Sequence, residues 1–145
     1  MKQRGRWMRI LVLYYGILQS LHLLTLARAG LVILQDVAYP FPLLPPPGGW
    51  ETQSMAFLFG LAGTDVLGIL LGIIFSAQFL IKRKLNRTLG ILSLTIFITG
   101  AVVFGAGTFP SGAWEVHPVA YGVMVVLFAP ALLLYFTLLR NPKAD

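Results

Sequence analysis

Apolar residues in this chain run together instead of alternating with polar ones. Four nearly unbroken stretches, at about residues 10–34, 55–81, 88–108 and 119–139, are divided by short charged or proline-rich intervals. A helix rises 1.5 Å per residue, so about 20 apolar residues cross the roughly 30 Å of bilayer hydrocarbon. All four stretches are long enough, and the first two exceed the need, which predicts tilt or projection beyond the lipid. Transmembrane β-strands alternate apolar and polar positions over about 10 residues, and nothing here does. The pattern predicts an all-α integral membrane protein. Residues 1–145 form one antiparallel bundle of four transmembrane helices, with both termini cytoplasmic and a proline-rich outer loop.

Charge supplies the orientation. Lys2, Arg4, Arg6 and Arg9 precede the first apolar run; Lys82, Arg83, Lys84 and Arg87 divide the second from the third; Arg140 and Lys143 follow the last. All of them gather at one end of the bundle, as the positive-inside rule expects of a cytoplasmic face, where they also meet anionic headgroups. This distribution makes the chain a multi-pass protein of the cell membrane. It also argues against reading the net charge of +6 as nucleic-acid binding, because basic groups interleaved with stacking aromatics are missing. Only 11% of residues are charged and 57% are hydrophobic, a balance unable to cover a water-facing surface. The chain has no cysteine, which excludes disulfides, iron–sulfur clusters and thiolate metal sites within it.

One competing reading concerns the start of the chain. A basic opening, an apolar middle and Ala27-Arg28-Ala29 resemble a cleavable secretory signal over residues 1–29. The apolar run is longer than such a signal needs and continues through Leu31-Val32-Ile33-Leu34, which favours a retained first helix. The inner link, residues 82–87, is short and forces the second and third helices to be neighbours. The first outer loop, residues 35–54, holds Pro40, Pro42, Pro45, Pro46 and Pro47 among Tyr39, Phe41, Leu43 and Leu44. Proline fixes φ and removes donors, so this segment should be extended and lie on the headgroups or over the bundle. Gly48-Gly49-Trp50-Glu51 ends this loop, and Gly112-Ala113-Trp114-Glu115 lies in the second outer loop. The match raises the possibility of a parallel internal duplication. It also fits interfacial tryptophans and acids placed at helix starts.

Inside the apolar runs, small and polar residues single themselves out. Gly60, Thr64, Gly68, Gly72 and Ser76 repeat every fourth residue on the second helix, a ridge that permits close helix packing within the bundle or, less favourably, in a homodimer. Ala101 and Gly105 are the expected partners on the third. Asp65 adjoins the ridge about seven residues below the outer boundary, if the helix core starts near Leu58. Arg28, the one cation away from the inner end, is expected to pair with it. Tyr15, Gln19, His22 and Thr25 share one face of the first helix and should turn inward. Pro130 should kink the fourth helix, and His117 precedes Pro118 at its start.

These residues carry no reaction signature. Glu51, Glu115 and His117 have no metal-ligand spacing, and a bis-histidine haem would need His22 and His117 at one depth. The favoured reading is non-enzymatic, with no metal and no assigned cofactor. A small membrane protein binds a lipid, quinone or other amphiphile in an outer-leaflet pocket lined by Arg28, Asp65, Trp50, Glu51, Trp114, Glu115, His117 and His22, or serves a larger membrane complex. One alternative is a membrane-embedded enzyme using Glu51, Glu115, His117 or Asp65 as acid and base. Another is a small proton-coupled transporter, for which Asp65 is expected to lie too shallow.

Overall fold

The structure is a computed structural model that describes residues 2–34 and 45–140. It contains α1 (Lys2–Leu34), α2 (Thr52–Lys82), α3 (Arg87–Thr108), a 3-10 turn (Phe109–Ser111), a one-turn α4 (Ala113–Val116) and α5 (Pro118–Leu139). Four of these, α1, α2, α3 and α5, are long and apolar enough to cross a membrane, and the described residues include no strand. Helix α1 begins at Lys2 rather than near residue 10, because its basic flank continues the helix instead of breaking it. The segment 35–44, with Pro40, Pro42, Tyr39, Phe41, Leu43 and Leu44, lies outside the described residues, as does Lys143.

The ends of the helices follow from local chemistry. Asn86 accepts a hydrogen bond from the Leu89 amide at 3.1 Å and caps α3. Arg83 takes a left-handed conformation (φ 56°) to close α2, which makes the α2–α3 link tight. Pro118 occupies the first turn of α5, where its missing N–H removes no helical bond, and His117 is the N-cap through its backbone rather than its side chain. Arg87 does more than carry charge. Its guanidinium donates to the Leu138 carbonyl at 2.8 Å and to the Leu139 carbonyl at 3.3 Å, satisfying the open C-terminus of α5 from the start of α3.

Helix α2 packs along both α1 and α3, and α5 touches α1 and α3 on the other side. Small residues set the register. A Cβ at Gly68 would lie 2.7 Å from Ile96 Cγ2, and one at Gly72 would lie 2.8 Å from Ser93 Oγ. Gly90 is filled by Phe75 and Leu138, Gly100 by Asp65, and Gly107 by the Phe57 ring. On the α1 side, Gly16 receives Ser76, and Gly72 also receives Gln19 and Tyr15.

The fourfold-spaced ridge therefore divides. Four residues turn a helix about 40° beyond a full circle, so the stripe drifts around α2. Gly68 meets α3, Gly72 meets α3 and α1 together, and Ser76 meets α1. Gly60 and Thr64 are exposed, with nothing among the described residues within 4 Å of a Cβ at Gly60. On α3 the working seam is Ser93, Gly100 and Gly107 with Gly90, not Ala101 and Gly105. Spacing of seven keeps that seam on one face of the helix.

The outside of the molecule is apolar. Leu13, Ile17, Leu21, Leu24, Leu67, Ile74, Val102, Val125 and Val126 are exposed, while Gln19, Ser76, Ser93 and Thr108 are buried. That inversion suits hydrocarbon, not water. Pro130 sits inside a continuous α5, and in the turn before it the Leu127 carbonyl accepts the Tyr14 hydroxyl at 2.6 Å. A neighbouring helix thus supplies a donor where proline disturbs the ladder.

Gly72→Ala should lower the unfolding free energy by about 1–3 kcal/mol, the usual cost of overpacking. Gly60→Ala should leave it within about 0.5 kcal/mol. Thermal unfolding in one detergent checks both, and equal losses from the two substitutions would contradict the divided ridge.

Candidate functional site

Two polar regions remain once the apolar surface is set aside, one where the start of α2 meets the end of α3 and one in the middle of the bundle. The outer one is a cleft of about 230 Å³ lined by Trp50, Gln53, Ser54, Phe57, Leu58, Gly107 and Thr108. Its shape follows from the chain entering α2. Gly48 and Gly49 both take positive φ (89° and 87°), and the Gly49 amide bonds the Pro46 carbonyl at 2.9 Å. Proline and two glycines make this turn, which brings Trp50 down beside the first turn of α2. The Trp50 indole Nε1 is buried and has no hydrogen-bond acceptor among the described residues.

Thr108 forms the back of the cleft and connects it to the second tryptophan. Its hydroxyl donates to Phe104 O at 2.8 Å and accepts the Trp114 indole N–H at 3.0 Å. Trp114 also stacks on Tyr121, with ring centroids 4.7 Å apart, and meets Phe109 edge-on. The two glycine–tryptophan–glutamate motifs are therefore not equivalent. Trp50 lies ahead of α2 and leaves its N–H open, whereas Trp114 lies inside α4 and is fully engaged. Nothing in the sequence distinguishes them, because the difference comes from Thr108, a partner six residues before Trp114.

The remaining residues expected at this site disperse. Glu51 and Glu115 are exposed, His117 is half-buried, and no hydrogen bond among the described residues joins either acid to the imidazole. His22 is deeper, half-buried with its ring edge-on to Phe97 at 6.5 Å. Phe97 also meets Tyr15 and Phe128, so it links α1, α3 and α5. Of the inward stripe expected on α1, Tyr15 and Gln19 are fully buried, while Thr25 is exposed and bonds the Leu21 carbonyl. Gathered groups of three or more metal-binding side chains are absent among the described residues.

Asp65 departs from expectation in direction. The contacts of Gly16 with Ser76 and of Gln19 with Gly72 bring residue 28 level with residues 63–64 of α2. The Asp65 carboxylate turns instead onto Gly100 of α3, and no ion pair to Arg28 forms among the described residues. Position 100 lacks a side chain, and that gap on α3 accepts the carboxylate. Helix α2 starts at Thr52, well before Leu58, which puts Asp65 about 18 Å along the axis from Gln53.

A half-buried carboxylate with no partner among the described residues costs stability in lipid. Asp65→Asn should raise the melting temperature, by about 1–2 kcal/mol of unfolding free energy; a fall would show that the negative charge is held by a partner. As for relatives, no family model, no curated protein and no solved structure matches this chain.

Proposed function

We propose that the protein is a small polytopic membrane protein that holds one lipid-like amphiphile in the outer cleft between α2 and α3. The observation that carries this is the Trp50 indole N–H, buried beside the cleft without an acceptor among the described residues. An unmet buried donor costs roughly 1–3 kcal/mol, and an occupant offering an oxygen removes that penalty. Phe57, Leu58 and Gly107 give the cleft apolar walls, while Gln53, Ser54 and Thr108 add polar groups. Pockets for whole drug-sized ligands run to about 300–1,000 Å³. About 230 Å³ is instead the size for the neck of an amphiphile, an ester or quinone carbonyl with its first methylenes, the rest lying in the bilayer.

In this reading the bundle is antiparallel, with both termini in the cytoplasm and the cell membrane as its location. The support is charge. The intervals 35–54 and 109–117 contain Asp36, Glu51 and Glu115 and no lysine or arginine, whereas ten of the eleven cations lie at the other end. The helix contacts agree, since residue numbers on α2 fall as those on α3 rise, from Phe57–Gly107 to Phe75–Gly90. An acidic outer rim disfavours anionic headgroups, so the occupant is a zwitterionic or neutral amphiphile. The exposed Glu51 and Glu115 have no geometry for acid–base catalysis, and the binding role rests on the cleft alone.

Trp50→Phe keeps the ring and removes the donor. Native mass spectrometry of protein extracted from phosphatidylethanolamine membranes should show retention of a bound amphiphile reduced about five-fold, the equivalent of one neutral hydrogen bond. Unchanged retention, or preference for phosphatidylglycerol, would defeat the reading. Orientation is checked separately with single cysteines, which the natural chain lacks. Pro47→Cys and Glu115→Cys should react with an impermeant maleimide on intact cells, and Lys84→Cys only after permeabilisation. Labelling of positions 47 and 115 from opposite faces would rule out the arrangement.

A further inference from the structure

We infer that Trp114 is a positioning residue of the cleft beside Trp50. By occupying Thr108 it restricts the cleft to an ester-linked lipid whose neck carries no N–H or O–H, a selection that rests on the binding role proposed above. Thr108 lines the cleft, and both of its oxygens are engaged by the segment that follows it. Its hydroxyl accepts the Trp114 indole N–H at 3.0 Å and donates its own proton to the Phe104 carbonyl at 2.8 Å. Its backbone carbonyl accepts the Ser111 hydroxyl at 2.6 Å, and Ser111 Oγ in turn accepts the Ala113 amide at 3.3 Å. These bonds hold the turn into α4 against the end of α3. They lay the indole over Gly105, where a Cβ would stand 4.0 Å from Trp114 Cζ2. Thr108 is left at 0% exposure.

The hydrogen-bond polarity of the cleft follows. An indole N–H donates and cannot accept, so Trp50 offers an occupant one buried donor. Phe57 and Leu58 offer neither group, while Gln53 is exposed and Ser54 half-buried. No fully buried side chain of the lining has a free acceptor among the described residues. A carbonyl oxygen therefore finds a partner in the cleft, and an N–H or O–H entering with it finds none. Leaving such a donor unmet costs more than a made bond gains. The closed Thr108 is thus a means of rejection. Depth chooses among carbonyl-bearing amphiphiles. Trp50 directly precedes Glu51, the N-cap of α2. Tryptophans favour the headgroup level, where membrane lipids carry their ester groups.

Phosphatidylcholine and sphingomyelin test this, because they share a headgroup and differ at the neck, two esters against an amide N–H and a hydroxyl. The full chain, in nanodiscs holding equal amounts of the two with matched acyl chains, is released and read by native mass spectrometry. It should retain phosphatidylcholine about five-fold over sphingomyelin, the effect of one unmet neutral donor. Trp114→Phe frees the Thr108 acceptor and should bring the ratio to within about two-fold of parity. Thr108→Val breaks the same hydrogen bond but supplies no acceptor, so it should keep the preference. Equal retention of the two lipids by the natural chain overturns the inference whether or not the variants fold. An unchanged preference in Trp114→Phe overturns it too, as does an equal loss in both variants, which marks the bond as structural only. Trp50→Phe separates this selection from the binding role. Retention that needs the Trp50 donor but favours neither lipid leaves the role standing and the selection refuted, whereas retention indifferent to Trp50 removes both.

Discussion

Close backbone approach between α2 and its two neighbours is the constraint on which this molecule rests. In hydrocarbon, lipid tails are as apolar as leucine, so burial of apolar area supplies little drive for helices to associate. Dispersion between closely fitted surfaces and hydrogen bonds must do it, and both need small residues at the seam. Gly68, Gly72 and Gly16 let Ile96, Ser93 and Ser76 lie almost on the facing backbones. The same closeness allows Ser93 to reach the carbonyl of Gly68 across the seam, a bond that a bulkier residue at position 68 or 72 would hold out of range.

The second organising rule is how hydroxyls are disposed of. Ser20, Thr25, Thr108 and Thr137 each donate to the carbonyl four residues earlier, and Thr64 to the one three earlier. Such local bonds let a hydroxyl face lipid or a packed seam without an external partner. Against that background the Trp50 indole stands out, because an indole N–H has no comparable local bond and this one has no partner among the described residues.

How far the sequence carries can be judged residue by residue. Length and hydropathy locate the four spanning helices, because a bilayer demands long apolar runs whatever their partners. The buried face of α1 is legible at Tyr15 and Gln19 for the same reason, since lipid rejects an unsatisfied amide. Which small residues make contact is not legible from spacing by four. The drift of that stripe around α2 leaves Gly60 outside and Gly72 at the centre. The seven-residue spacing of Ser93, Gly100 and Gly107 is the better signal and can be read from sequence alone. Arg28 and Asp65 reach similar depths, but depth is one coordinate; rotation about α2 turns the carboxylate to α3. Likewise, a shared motif cannot reveal that Trp114 has Thr108 to bond and that Trp50 has no partner among the described residues.

Helix α5 is held differently from the other three, and this bears on where a ligand can enter. Its links are long side chains reaching outward: Phe128 against Phe97, Tyr135 with Thr95, its Leu127 carbonyl from Tyr14 and its C-terminus from Arg87. No glycine of α5 has a neighbouring side chain in close contact among the described residues. Contacts through flexible side chains tolerate small rotations of a helix that glycine seams do not. The cleft beside Trp50 nevertheless borders α2 and α3, the most tightly fitted pair, and not α5. Its walls at Phe57 and Gly107 are then fixed by the ring packed onto the glycine, so the cleft keeps its form without a ligand. Under the proposed function, a preformed cleft of this kind loses little conformational entropy on taking an amphiphile, which lets a small contact area discriminate one neck chemistry from another.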